Sequence, residues 1–584
     1  MKNKKMTSRI IIMLICAMLL TACSTGTTQN GTNTSGAGSS QNATTLAYAS
    51  EIDKTTILTV SISADPDKWQ AMLDNAEAEE YISADITING TTIENVGIRP
   101  KGNSSLSSIA RDETTDRYSF KVKFDEYVDG QTWLGLDKLV LNNNYSDATS
   151  MKEYLSYDIM NYIGVDTPLY SYADMAVNGE SWGFYLAIED IDSGYLARVK
   201  DDEGELYKPE SMDMGGNIGQ NMDGNRPNRP DNAPAADNAD GAEQTRPNNQ
   251  WPGQGGMGMG RNSGGVSLVY TDDNESSYSA IFDNAETKTD EEDHQRVIEA
   301  LKNLNSGTEL EKCVDVDAVL RYLAAHTIVV NLDSYSGSMG HNYYLYENDG
   351  QISILPWDYN MAFGGFQSGN ASSVVNFPID TPVSGVSMED RPLISKLLEV
   401  PEYLETYHKY LQEIMDGYFA DGKFEQTVDR LDAMISDYIQ NDPTAFYTYE
   451  EYQAAVAELK ELGTLRGESV QGQLDRTIPS TTAGQSAEPD KLIDAFSVDM
   501  SALGSMGMGG GFGGQGGMPN MPNMADGLDM ETMQQAMEII RTATDGKLTE
   551  EQRTQLHDLG LSDEQIEQML TMPMGGGFGG RNGG

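Results

Sequence analysis

Residues 331–365 read NLDSYSGSMGHNYYLYENDGQISILPWDYNMAFGG, and the fold follows from how this run is parsed. Residues 343–346 and 352–355 are short apolar strands, with the turn pair Asp349-Gly350 between them. Residues 317–330, just upstream, carry the pattern of an apolar helix. Asp333 therefore falls just after a helix, Asp358 just after a buried-looking strand, and Asn342 between them. Mg²⁺ is a hard cation that takes oxygen ligands, usually one or two carboxylates plus the phosphates of a nucleotide. Two acids and an amide so placed are a minimal set for that task. From spacing alone, helix caps and turns account for the same residues.

Upstream, residues 55–63 and 81–93 alternate as strands do, and Asn89-Gly90 splits the second stretch into a hairpin. Residues 119–124 place Phe120, Val122 and Phe124 on one face and Lys121 and Lys123 on the other. A helix is predicted over 146–162, capped by Ser146 or Asp147 and ended by Gly164. Strands 171–177 and 183–189 flank Asn178-Gly179. Helices are predicted over 290–303, 391–398, 402–419, 424–440 and 449–462. The chain thus reads as α+β: a strand-rich part over 49–208, a disordered Asn/Pro/Gly/Met-rich insertion over 209–265, and a helix-rich part over 266–475. That order predicts two lobes with a cleft, rather than a Rossmann fold or a barrel. A Gly/Met-rich linker over 476–529, a short helical segment over 530–572 and a Gly-rich tail over 573–584 complete it.

The first residues have another purpose. Lys2, Lys4, Lys5 and Arg9 precede an apolar run over 10–20, too short to span a bilayer and suited to a signal peptide over 1–22. Leu20-Thr21-Ala22-Cys23 resembles the bacterial lipobox, which predicts a lipid on Cys23 and a flexible tether over 23–48. The expected location is the outer face of the cytoplasmic membrane. Beyond Cys16 and Cys23 only Cys313 remains, which leaves no disulfide framework and no Cys-based metal site. Five histidines without HxxxH or HExxH spacing argue against a zinc enzyme. The net charge of −51 disfavours nucleic acid and suits cations or basic polypeptides; plain solubility accounts for it equally. There is no P-loop and no GxSxG elbow.

A basic turn, GIRPKGNSS over 97–105, carries Arg99 and Lys101, which could cradle phosphate. Lys121 or Lys123 on the next strand could reach a phosphate as a kinase's strand lysine does, Lys121 being preferred.

GIRPKGNSS, YSFKVKFDEY, GLDKLVLNNNYSDATSMKEYLSYDIMNYIGVDTP, VNGESWGFYLAIEDID, GELYKPE and the run over 331–365 together resemble the spore coat protein H (CotH) kinase family. The resemblance extends over about 55–208 and 266–420. It implies a two-lobed, atypical protein-kinase-like fold that uses ATP and Mg²⁺ or Mn²⁺ to phosphorylate Ser/Thr on extracytoplasmic or spore-surface proteins, basic and Ser-rich ones being expected. Carried over, Asp333 is the catalytic acid and Asp358 and Asn342 are the metal ligands. Lys121, Arg99 and Lys101 would face ATP, with Glu153 as an ion-pair partner for the strand lysine. Asn342 lies nine residues after Asp333, so the intervening loop must bulge through 336–340. The rival expectation is a surface scaffold or adhesion lipoprotein that keeps the fold without catalysis.

Overall fold

A computed structural model describes residues 46–210, 265–504, 548–558 and residue 566. The signal peptide, Cys23, residues 211–264 of the insertion and most of the helical segment over 530–572 lie outside the described residues. No helix among the described residues is long and apolar enough to cross a membrane.

Seven strands form the first layer: β1 (Ile57–Ala64), β2 (Ile82–Ile88), β3 (Thr91–Lys101), β4 (Ser119–Lys123), β5 (Lys138–Asn142), β6 (Tyr170–Val177) and β7 (Glu180–Glu189). The hairpin turns behave as their sequences dictate. Asn89 and Gly90 have φ of 47° and 81°, and Asn178 and Gly179 have 52° and 86°, the left-handed values that two-residue hairpins require. Side-chain alternation sets the inside. Phe120 faces Leu141 and Val122 faces Leu139, all fully buried, while Lys121 and Val140 share the opposite face.

The strands run in the order β1-β2-β3-β4-β5-β7-β6, and β6 pairs in parallel with β1 to close a barrel. The chain is mixed α and β as expected, and the closed barrel corrects the expectation that the fold contains none. Closure leaves the sheet without free edges, and it depends on a pairing between segments far apart in the chain, which local patterning does not announce.

A second sheet has the order β10-β9-β8, with β8 (Glu205–Tyr207), β9 (Tyr343–Asn348) and β10 (Gln351–Pro356) all antiparallel. β8 precedes the insertion and pairs with β9 after it, Leu206 opposite Tyr346, so the two halves of the chain share one sheet.

The helices that position the site are α1 (Lys152–Tyr162), α2 (Glu291–Ser306), α3 (Val316–Val329), α4 (Pro401–Ile414), α5 (Lys423–Gln440) and α6 (Tyr449–Leu474). Asp290 closes a capping box with Asp293 at the start of α2. α3 is buried nearly all round, as its apolar sequence demands. One core joins Val140, Leu186 and Ile188 of the barrel's outer wall to Tyr154 and Tyr157 of α1, to α3, and to Leu345 and Ile354 of the second sheet.

Two boundaries differ from the sequence reading. α1 starts at Lys152, not 146, because the Asp147 carboxylate accepts from the backbone of Thr149 (3.0 Å) and Lys152 (2.9 Å) and builds a turn instead. Ser146 and Ser150 sit there at φ 61° and 54°. Residues 476–504, expected to begin a linker, pack on this body. Ala495, Val498 and Leu503 are buried, and the Lys152 ammonium donates to the Gly504 carbonyl at 2.9 Å. The helix Glu550–Asp558 belongs to a separate unit of the chain, residues 509–584.

Candidate functional site

The site lies where the outer face of β3–β4–β5–β7 meets α1 and the loops that follow α3 and β10. α3 ends in Val330 at φ 48°, a conformation costly for a β-branched residue. The Asn331 side chain accepts from the Asp333 backbone at 3.2 Å, and the loop then bulges as expected. Gly337 is needed there, because a Cβ would stand 1.7 Å from the Leu332 carbonyl. The fully buried Arg391 holds the bulge, donating to the carbonyls of Tyr335 and Gly337 and to Ser267 Oγ at 3.1 Å.

Asp333 Oδ1 lies 2.6 Å from His341 Nε2, and its Oδ2 accepts from Asn342 Nδ2 at 3.1 Å. The same Nδ2 donates to the Asp333 carbonyl at 2.9 Å. Both partners are pure acceptors, which fixes the amide: nitrogen toward Asp333, oxygen away from it. No hydrogen bond to Asn342 Oδ1 is found among the described residues. Burial opposes protonation of His341, but the carboxylates of Asp333 and Asp358 outweigh it and raise its pKa.

Asp358 follows β10 at φ 60° and Asn342 sits at φ 54°; two strained backbones coincide with the two expected ligand positions. Burial raises the Asp358 carboxyl; Lys101 opposes the shift and Asp333 adds to it, so the two acids share one field. Glu153 of α1 is adjacent. Its Oε1 accepts from the Tyr359 backbone at 3.1 Å and from Tyr157 OH at 3.1 Å, and its Oε2 accepts from Asn142 at 2.7 Å. Burial, then Asp358, pushes Glu153 up to about 8.

The cations sort themselves. Lys121 pairs with Asp190 at 2.6 Å, not with Glu153 as expected. Lys123 pairs with Glu126 at 2.9 Å, which leaves Lys121 as the strand lysine that faces the site. Arg99 is turned to Glu79 and lies over the Tyr81 ring at 5.3 Å, outside the cluster. Lys101 lies 5.6 Å from the Trp357 ring centroid, in the field of Asp358 and Glu153. The sequence reading missed His341, Asp190 and Lys208. All three stand within the quoted runs, Asp190 just after the end of β7, but none carries a spacing that marks it as part of the site.

Among the described residues no three His, Cys, Asp or Glu side chains group into a metal cluster. A carboxylate such as that of Asp358 and an amide oxygen such as that of Asn342 are the donor types a hard cation takes, and Mg²⁺ usually fills the rest of its shell with phosphate and water.

Beneath the site, His326 of α3 ties both loops together. Nδ1 meets Tyr359 OH at 2.8 Å and Nε2 meets Ser336 Oγ at 2.7 Å. Burial lowers its pKa to about 3. The unfolded value is about 6.5, so the unfolded chain binds the proton first. The stabilisation is complete above about pH 6.5 and is lost as pH falls toward 3, on the order of 1 kcal/mol per pH unit. Denaturant midpoints at about pH 7 and pH 5 should therefore differ more for the native protein than for His326→Gln. Equal differences would rule out this role for His326.

Fold and site together define a mixed α and β protein in which two acidic loops, tied together by His326, face a lysine-bearing barrel wall. The family model described as CotH kinase protein matches residues 98–470, more than half of the sequence, and the chain belongs to this family. It is also 23% identical over 322 residues to the inner spore coat protein H of Bacillus subtilis (strain 168), covering 54% of this chain and 72% of that protein.

Proposed function

We propose that this protein is an ATP-dependent protein kinase that phosphorylates Ser or Thr on extracytoplasmic proteins. The observation that carries the reading is the joined set of Asp333 and Asn342 in the field of Asp358, with lysines opposite. On this reading a kinase-type site is carried on a barrel-and-helix frame. Asp358 and Asn342 Oδ1 would hold Mg²⁺ or Mn²⁺, which when bound neutralises phosphate oxygens during transfer. Asp333 orients the acceptor hydroxyl and takes its proton. The hydroxyl oxygen bonds to the γ-phosphorus as the bond from that phosphorus to the β-phosphate bridging oxygen breaks, and ADP departs. The net charge of −51 favours basic, Ser-rich acceptors. The family and the name of the spore coat relative support a role at the spore surface. A lipid on Cys23 would keep the enzyme on the outer face of the membrane. The test is incubation with γ-labelled ATP, Mg²⁺ or Mn²⁺, and a basic Ser-rich protein. Label on acceptor Ser or Thr is expected. ATP binding without transfer to any acceptor would leave the non-catalytic scaffold.

A further inference from the structure

Four lysines approach the seam between barrel and helices, and three are already matched. Lys121 lies 2.6 Å from Asp190, Lys138 3.2 Å from Asp192 and Lys208 3.0 Å from Glu210. Lys101 differs. Among the described residues no carboxylate comes within ion-pair distance of it and no acceptor takes a hydrogen bond from it. Its near neighbour is the face of Trp357, the residue before Asp358. A cation over an aromatic ring is held weakly, by about 0.5–2 kcal/mol, and an ammonium taken from water without an anion is costly. Burial lowers the Lys101 pKa accordingly, Asp358 and Glu153 offset part of that, and Lys208 and Lys121 add repulsion.

The backbone explains why the residue ends there. Lys101 is the last residue of β3, paired opposite Ser119, and Gly102 at φ 133° turns the chain into the helix Ser104–Ile109. The lysine is thus delivered at the barrel rim beside the Trp357-Asp358 segment. An anion that bridges a cation on Asp358 to a nearby ammonium has the chemistry of a nucleotide phosphate.

Resting on the kinase reading, we infer that Lys101, rather than the strand lysine Lys121, is the lysine whose ammonium meets a phosphate of the nucleotide. Lys121 and Lys208 are held by their carboxylates as walls of the site. Of these four lysines, Lys101 alone has no carboxylate at ion-pair distance among the described residues, and a phosphate would match it.

Stability and binding should then move in opposite directions in two variants of the full chain. Lys101→Met is expected to melt at or above the native temperature without ligand, because an unmatched charge is gone. It should lose most of the thermal shift given by ATP with Mg²⁺, with affinity at least about tenfold lower. Lys101→Arg should restore much of that shift. Lys121→Met is expected to melt lower, because it strands the buried Asp190 carboxylate, yet to keep ATP affinity within about twofold. Native-like ATP affinity in Lys101→Met would overturn the assignment, as would loss of ATP binding in Lys121→Met with Lys101→Met unaffected. A native protein that shows no shift with ATP and Mg²⁺ overturns the kinase reading and this assignment together; a native shift that survives Lys101→Met overturns this assignment alone.

Discussion

Asp358→Ala is expected to lower phosphotransfer by at least about 10²–10³-fold while leaving the unliganded protein as stable as the native one, or more so. The rate effect follows from the proposed role: a carboxylate that anchors charge stabilisation in the transition state is worth about that factor when removed. The stability effect follows from its surroundings. The carboxyl is already held above its ordinary range by burial and by Asp333, and it raises Glu153 in turn. Removing it relieves the burial of a carboxylate and its repulsion with Asp333 and Glu153, against the loss of the offset it gives Lys101, and leaves Glu153 with its bonds to Tyr359, Tyr157 and Asn142. Initial rates with labelled ATP and melting curves without ligand measure the two effects. A variant with native rates would falsify the role of Asp358. A variant that unfolds far below the native temperature would show that the carboxylate supports the fold instead.

Arg466→Ala should be the opposite case, a large loss of stability, on the order of 3–5 kcal/mol, from a residue that touches no reacting group. Arg466 of α6 is almost fully buried, and among the described residues no carboxylate comes within ion-pair distance of it. Its guanidinium donates to the carbonyls of Thr327 at 2.8 Å and Ile328 at 3.3 Å, at the C-terminal end of α3, and to those of Val375 at 3.0 Å and Phe377 at 2.7 Å. The negative end of the helix dipole favours a cation there. Burial still lowers its pKa to about 9. Truncation removes the Arg466 donor from four carbonyls, of which, among the described residues, Phe377 alone keeps another, Gln473 at 3.4 Å, and opens a cavity the size of a large side chain. Because α3 leads directly into Val330 and the Asp333 loop, activity should fall as well. Denaturant unfolding compared with Arg466→Lys, which keeps the charge but not the fork of donors, measures the effect. A native midpoint in the Ala variant would rule it out.

The sequence displays strands and turns wherever chemistry is local. Asn89-Gly90, Asn178-Gly179 and Asp349-Gly350 all take left-handed values at the expected positions. Phe120, Val122 and Phe124 are all fully buried, as their alternation requires. Features that depend on distant partners were not legible. The barrel is not legible because the parallel pairing of β1 with β6 leaves no periodic trace in the sequence. Arg99 and Lys101 look equivalent in GIRPKG, and only Glu79, in a turn before β2, separates their fates. Lys121 and Lys123 are told apart only by Asp190 and Glu126. The early start assigned to α1 arose because Asp147 is a good cap in either geometry, and the turn built on it captured the first residues.

The parallel seam of the barrel also sets an order of events during folding. Ile57 finds its partner at Tyr172, so the first strand waits until the chain through β6 has been made. Until then β1 presents one unsatisfied row of backbone donors and acceptors, the kind of template on which nascent chains stick to one another. Non-local closure of this kind is slow. Substitutions that delay β6, or that flatten β1, should therefore show first as poor recovery of soluble protein, before any change in the finished molecule's melting point.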